Sequence, residues 1–343
     1  MNIISLFSGA GGLDLGFTNA GFNTIWANDF NNKVESTYNA NHMTPLTVGD
    51  ITKIDPTTVP EAHGIIGGPP CQSWSVAGSG RGIEDDRGQL FDDYIRFIGE
   101  KNPLFFVAEN VKGILSKKHN SAKEAIIQEM ENAGQGYTVT MGLLNAKDYR
   151  VPQLRERVFF IGFRNDLNIT FNFDRFKEMT HENLVQEFGE NYLLTLQDTI
   201  IQYQESAVPA TENNSTVNAL NNNEYGVGSF STQFMSRNRV KTWEEQSFTI
   251  QAGLRHIPIH PQAPVMEKIA TDICRFIPGH EHQYRRFSVR EAAAIQTFPE
   301  NFNFIYQKLA DAYQMIGNAV PVKLAEYVAR HIKFLLEEHG YWE

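Results

Sequence analysis

The sequence predicts a doubly wound, mainly parallel α/β sheet joined to a second, smaller domain. Two observations carry that expectation. Short apolar runs alternate with helical patterns through the first half of the chain, and glycine or proline closes several of them. Beyond about Asp166 this rhythm stops, and residues 204–224 become polar and rich in asparagine, as in a surface loop.

The strand-like runs fall at 3–7, 23–27, 46–48, 64–66, 104–108, 138–144 and 157–163. Helices are expected at 13–20, ending at Gly21, and at 121–133, ending at Gly134, because glycine readily takes the left-handed conformation that closes a helix. Short β-like runs follow the polar loop, and a further helix is expected at 322–338. The large domain should span 1–178 and be completed by a returning segment at 305–343, with the smaller domain at 179–304. A chain of 343 residues is long enough for two domains. Its 41% hydrophobic and 20% charged residues are ordinary globular values.

No apolar run reaches membrane-span length, and Met1-Asn2-Ile3-Ile4 lacks the basic start of a signal peptide. A cytoplasmic protein with no membrane partner is expected. Cys71 and Cys274 form no disulfide framework, and neither has companions at metal-ligand spacing, so no metal is expected. The net charge of −10 argues against a surface that is basic throughout, but nucleic-acid binding depends on local charge. Residues 233–290 hold nine Lys/Arg against five Asp/Glu, whereas the rest of the chain holds 21 against 35. The basic balance lies in one segment.

The run Gly67-Gly68-Pro69-Pro70-Cys71-Gln72-Ser73 sets Cys71 just beyond the 64–66 strand, where an open α/β sheet places its reacting groups. Proline fixes φ and lacks an N–H, so the turn presets Cys71 and leaves the Pro70 carbonyl free to accept. A packed core thiol is the plainer reading of any single cysteine, and it suits Cys274. After the first strand, Phe7-Ser8-Gly9-Ala10-Gly11-Gly12-Leu13 lets backbone approach a nucleoside at a helix N-terminus. Asp29, 18 residues after Gly11, stands about where a carboxylate meets ribose hydroxyls, and Asp50-Ile51 could hold an adenine. Asp14 occupies the place of the third glycine of a dinucleotide fingerprint, which counts against a nicotinamide enzyme. Glu109 ends the 104–108 strand, where desolvation favours a proton-donating carboxyl; the alternative is a solvated Glu109 beside a helix cap at Asn110. Arg155 and Arg157 are expected to share a strand face.

These segments, with Arg285-Arg286-Phe287-Ser288-Val289-Arg290-Glu291 and Ile316-Gly317-Asn318-Ala319-Val320-Pro321, closely resemble the cytosine-C5 DNA methyltransferases over essentially the whole chain. The resemblance implies a Rossmann-like methyltransferase domain with a target-recognition domain. It also implies S-adenosylmethionine as donor, S-adenosylhomocysteine as product, and a cytosine rotated out of double-stranded DNA. C5 of cytosine is too electron-poor to take a methyl directly, so Cys71 is expected to add at C6 first. Glu109 would hydrogen-bond N3, Pro70 would hold the exocyclic amine, and Arg157, with Arg155 nearby, would contact the O2 side and position Glu109. Phe7, Gly9, Ala10, Gly11, Gly12, Leu13, Asp29, Phe30, Asp50, Ile51, Pro69, Leu90, Asn318 and Ala319 would line the donor site. Residues 78–90 read as a lid, with Ser75, Arg81 and Arg87 meeting phosphates.

Between Gln153 and Arg285 the family places its recognition region. Arg237, Arg239 and Arg255 suggest guanine reading through O6 and N7, with phosphate binding as the plainer role. The stretches 234–240 and 260–266 resemble the bacterial modification enzymes that read GGCC, and a monomer from a restriction-modification system is expected. Exocyclic-amine methyltransferases need no thiol after Pro-Pro. The RNA-modifying branch carries Cys-Phe-Thr where this chain has Cys274-Arg275-Phe276. A non-catalytic DNA-binding relative would have no use for Cys71, Glu109, Arg155 and Arg157 together.

Overall fold

The computed structural model describes residues 1–70, 89–210 and 220–342. The chain forms two compact units. Unit 1 comprises Met1–Asn145, Glu156–Asn191 and Lys323–Glu343; unit 2 comprises Ala146–Arg155 and Tyr192–Val322. These bounds differ from the expected 178 and 305. Phe173 and Phe176 pack on Phe171, which keeps the following helix in unit 1. Tyr313 donates to the Phe287 carbonyl at 2.6 Å, which keeps the residues before Lys323 in unit 2.

Unit 1 opens with β1 (Asn2–Leu6), α1 (Gly12–Asn19), β2 (Asn23–Asp29), α2 (Glu35–Asn41), β3 (Leu46–Val48) and β4 (Gly64–Gly67). Then come α3 (Gln89–Lys101), β5 (Phe105–Val111), α4 (Asn120–Glu131) and β6 (Tyr137–Asn145). After the short β7 (Gln153–Leu154), which belongs to unit 2, unit 1 continues with β8 (Glu156–Arg164) and α5 (Phe173–Phe188). One seven-stranded sheet results, in the order β3-β2-β1-β4-β5-β8-β6. Strands β1 to β5 pair in parallel, while β8 is antiparallel to both β5 and β6. The parallel part follows from helical crossovers; β6 and β8 are joined without an α-helix, and antiparallel strands need none. The sheet is covered on both faces, as strand alternation requires. Ile4, Leu6, Ile65 and Phe106 share a core with Phe91, Tyr94 and Phe97 of α3 and Met130 of α4. Phe105 points the other way, onto Phe17 of α1 and Phe22.

Unit 2 has little sheet and many buried polar braces. After α6 (Leu196–Ile200), β9 (Val208–Pro209) pairs with β10 (Glu224–Tyr225), and β11 (Ser247–Phe248) pairs with β7. A hairpin of β12 (Glu267–Ala270) and β13 (Ile273–Arg275) precedes α7 (Val289–Ile295) and α8 (Leu309–Asn318). Phe234, Val240, Ile259, Met266, Tyr284 and the buried Cys274 form its core, so Cys274 is packed there. Ser288 and Glu291 close a capping box at the start of α7. Arg285 grips Glu291 with two 2.7 Å bonds. Burial pushes the Glu291 carboxyl upward, but Arg285 and His260 outweigh it and hold it down at about 2.

The chain then returns through α9 (Val322–Glu338), whose Leu324, Val328, Ile332 and Leu336 are buried. Glu326 accepts from Asn19 of α1 at 3.4 Å, and Trp342 packs edge-on against Phe22. No helix among the described residues is long and apolar enough to cross a membrane.

Candidate active site

The loop after β1 is shaped by left-handed backbone at Phe7, Gly9 and Gly11, with φ of 56°, 55° and 83°. A side chain on Gly11 would strike His42 and Tyr38, so only glycine fits there. A Cβ on Gly9 would meet nothing within 4 Å, so the loop presents open backbone. Asp29, at the carboxyl end of β2, accepts from the Gly9 N–H and the Asn31 N–H, each at 2.8 Å. Burial raises its carboxyl above the ordinary range, although both backbone bonds oppose this. Phe30 beside it is exposed. Asp50 accepts from the Thr52 N–H and hydroxyl, which lowers its carboxyl below the usual range, and Ile51 is buried. An open glycine turn joined to a carboxylate, beside an exposed aromatic ring, suits a nucleoside with ribose hydroxyls. Gly12 and Leu13 begin α1 as buried residues, Ala10 is buried, and Leu90 is a half-buried residue of α3.

Asp14 was legible only as a missing glycine. Its buried carboxylate accepts from Tyr38 Oη at 2.6 Å and from Ser5 Oγ at 2.9 Å. Burial raises its carboxyl, against the pull of those bonds, and raises the Tyr38 phenol as well.

Glu109 lies within β5, buried rather than solvated, and Asn110 is a strand residue rather than a helix cap. The antiparallel register sets Glu109 opposite Phe159 and Val111 opposite Arg157, so Glu109 and Arg157 are diagonal neighbours on one face. Arg157 Nε meets Glu109 Oε1 at 2.8 Å. Burial lowers the Arg157 guanidinium below its ordinary value, and Glu109 counters part of that. Asn110 donates to the Pro69 carbonyl at 3.1 Å and accepts from the Val111 N–H at 2.8 Å, so the acid's neighbour pins the Pro69-Pro70 turn. A Cβ on Gly68 would come within 3.3 Å of Glu109 Oε2, so a side chain there would crowd the acid. Cys71, Ser75, Arg81 and Arg87 lie outside the described residues.

Arg155 is not the partner of Arg157 that strand parity predicts. It falls in unit 2, between β7 and β8, and is 1% exposed. Its guanidinium donates to the carbonyls of Ile250, Gly317 and Ala319 at 3.0, 2.8 and 2.9 Å. Those bonds make it a brace, not a base-contacting group. Gln153 and Gln296, missed in the sequence, complete the brace: Gln153 donates to Gln296, which donates to the Ile316 carbonyl. Gly317 must be glycine, because a Cβ would lie 2.3 Å from the backbone of Gln251 and Ala252. Asn318 ends α8 exposed, and Ala319 follows in unit 2.

Also within unit 2, a concavity of about 170 Å³ is lined by Arg237, Arg239, Gln251 and His256 among others. Arg237 is exposed. Arg239 spends Nε and Nη2 on the carbonyls of Phe234 and Gln233, at 2.8 and 3.2 Å, with its guanidinium over the Phe234 ring. Arg255 is exposed but is not among the lining residues.

Comparison with known proteins agrees with this arrangement. The model of the C-5 cytosine-specific DNA methylase family matches residues 1–334. The chain is 53% identical over 340 residues to the type II methyltransferase M.NgoPII of Neisseria gonorrhoeae, covering 98% of this chain and 96% of that one. It is 50% identical over 342 residues to M.FnuDI of Fusobacterium nucleatum, also a type II methyltransferase, with the same coverage. The solved structure of the S. pombe Dnmt2 methyltransferase superposes with a TM-score of 0.66 at 20% identity, over 98% of this chain and 99% of that one, a likeness of fold. The chain belongs to the C-5 cytosine-specific DNA methylase family and is a DNA cytosine-5 methyltransferase.

Proposed function

We propose that this enzyme methylates the inner cytosine of GGCC as the modification enzyme of a restriction-modification system, through a covalent bond from Cys71 to C6. The observation that carries the mechanism is the buried Glu109–Arg157 pair beside the pinned Pro69-Pro70 turn. The target must leave the stack, since a paired base hides the face that a thiolate attacks. Cys71 Sγ adds to C6, and the displaced electron pair moves into the ring toward N3. Arg157 Nε holds Oε1 of Glu109, and a protonated Glu109 donates to N3 and offsets that charge. The Pro70 carbonyl accepts from the exocyclic amine. The 7–13 loop, Asp29, Phe30, Asp50 and Ile51 would hold S-adenosylmethionine, which would supply the methyl group taken up by C5 and leave as S-adenosylhomocysteine. Water takes the C5 proton, the C–H electron pair restores the C5=C6 double bond, and the Sγ–C6 bond breaks to release Cys71 as a thiolate.

The GGCC assignment rests on the local resemblance at 234–240 and 260–266 and on arginines able to read guanine. Cytoplasmic DNA is the expected setting, with the enzyme acting as a monomer. The test is trapping on duplex DNA with 5-fluorocytosine at the target. Wild-type protein should form a stable adduct, and Cys71→Ser should bind the duplex yet lose nearly all turnover, since an alcohol ionises far less readily than a thiol. A serine variant that methylates normally, or a wild type with no adduct, removes Cys71 from the mechanism. Methylation mapping that returns another motif removes GGCC.

A further inference from the structure

A buried polar chain runs beneath the glycine loop of unit 1 and has no place in the chemistry above. Tyr38 Oη and Ser5 Oγ both donate to the Asp14 carboxylate, at 2.6 and 2.9 Å. Ser8 Oγ in turn donates to Ser5 Oγ at 2.9 Å, and the Gly11 N–H donates to the Ser8 carbonyl at 2.8 Å. On the other side Tyr38 stacks on His42 with ring centroids 4.1 Å apart. His42 Nε2 lies 3.2 Å from the Ala10 carbonyl, and because a carbonyl only accepts, that nitrogen carries the hydrogen. Ser8 is thus tied to one buried carboxylate through the Ser5 hydroxyl, Gly11 through Ser8 and Ser5, and Ala10 through the His42 and Tyr38 rings. Asp14 and Tyr38 are fully buried, so the ties cannot exchange for water.

We propose that Asp14, acting through Ser5 and Tyr38, is the positioning residue that holds the 8–11 loop in its donor-binding shape. It touches no donor atom itself, and the inference rests on the loop being the donor site. A carboxylate is suited to this post. It offers acceptors to two hydroxyls at once, and the aligned hydroxyls leave their own oxygens to accept in turn. A glycine at this position would leave Ser5 and Tyr38 buried without that acceptor.

The test uses the full chain and S-adenosylhomocysteine as probe, by calorimetry, alongside DNA binding without donor and thermal unfolding. Tyr38→Phe keeps the ring stack, and Ser5→Ala keeps the fold's volume. Each is expected to weaken the probe about fivefold, the weight of one net hydrogen bond, while DNA affinity stays unchanged. Asp14→Asn still offers an acceptor, and its amide can donate to either hydroxyl; it should recover most of the affinity that Asp14→Ala loses. Should Asp14→Ala fail to fold, the two hydroxyl variants decide alone. Unchanged probe affinity in both, or DNA affinity falling in step, overturns the proposal. Asp29→Ala separates the two readings. If it too leaves probe binding intact, the loop is not the donor site; if only it weakens the probe, the positioning role alone falls.

Discussion

Arg155 and Arg157 stand two residues apart and serve opposite ends. Arg157 pairs with Glu109 across β8 and β5, whereas Arg155 ties three main-chain carbonyls of unit 2. Their separation was not legible in the sequence, because side-chain parity holds only within an unbroken strand. β7 ends at Leu154 and β8 starts at Glu156, so the alternation is interrupted at Arg155. Glu109 was legible as a chemical residue at a strand end, and the family resemblance implied Arg157 as the residue that positions it; the antiparallel register that brings the two together is what the sequence does not reveal. Arg155→Ala should cost about 3–5 kcal/mol, since three buried carbonyls lose a charged donor. Urea unfolding should show a lower midpoint, with activity per folded molecule nearly unchanged. A loss of turnover at unchanged stability would return Arg155 to the base-contacting group.

At the scale of elements, α9 shows what periodicity reveals and what it leaves hidden. The sequence indicated the helix because apolar residues recur at helical spacing. It did not indicate that His331 would sit among Phe171, Phe176 and Phe334. Burial there, with Arg175 contributing, lowers the His331 imidazole from 6.5 to about 4. The unfolded chain then takes up the proton first. Stability is therefore full above about pH 6.5 and is lost as pH falls toward 4. His331→Phe, which matches the ring without titrating, should flatten that part of a melting-temperature profile measured from pH 7.5 to 4. An equally steep profile in the variant would place the acid lability elsewhere, with the His260–Glu291 pair the next group to test.

For the molecule as a whole, the arginines proposed to read DNA, Arg237, Arg239 and Arg255, all lie in unit 2. Arg237 and Arg239 share a concavity that Arg255 does not line. Arg237→Ala should lose about 1–3 kcal/mol of discrimination at one guanine, spreading methylation to sites that differ there. Arg255→Ala should instead weaken binding alike on all sequences and lower the salt slope by about one. Bisulfite sequencing of treated plasmid and binding at several salt concentrations separate these outcomes, and uniformly weaker methylation in Arg237→Ala would end the reading role. The path of the chain carries a further consequence. It passes between the units four times, and unit 1 is finished only by Lys323–Glu343. On the ribosome, the sheet that carries Glu109 must therefore wait, its α1 flank uncovered, until Lys323–Glu343 has been translated. Nascent chains stalled before Lys323 should be protease-sensitive and recruit chaperones. Unit 1 cannot close before that returning segment has been made.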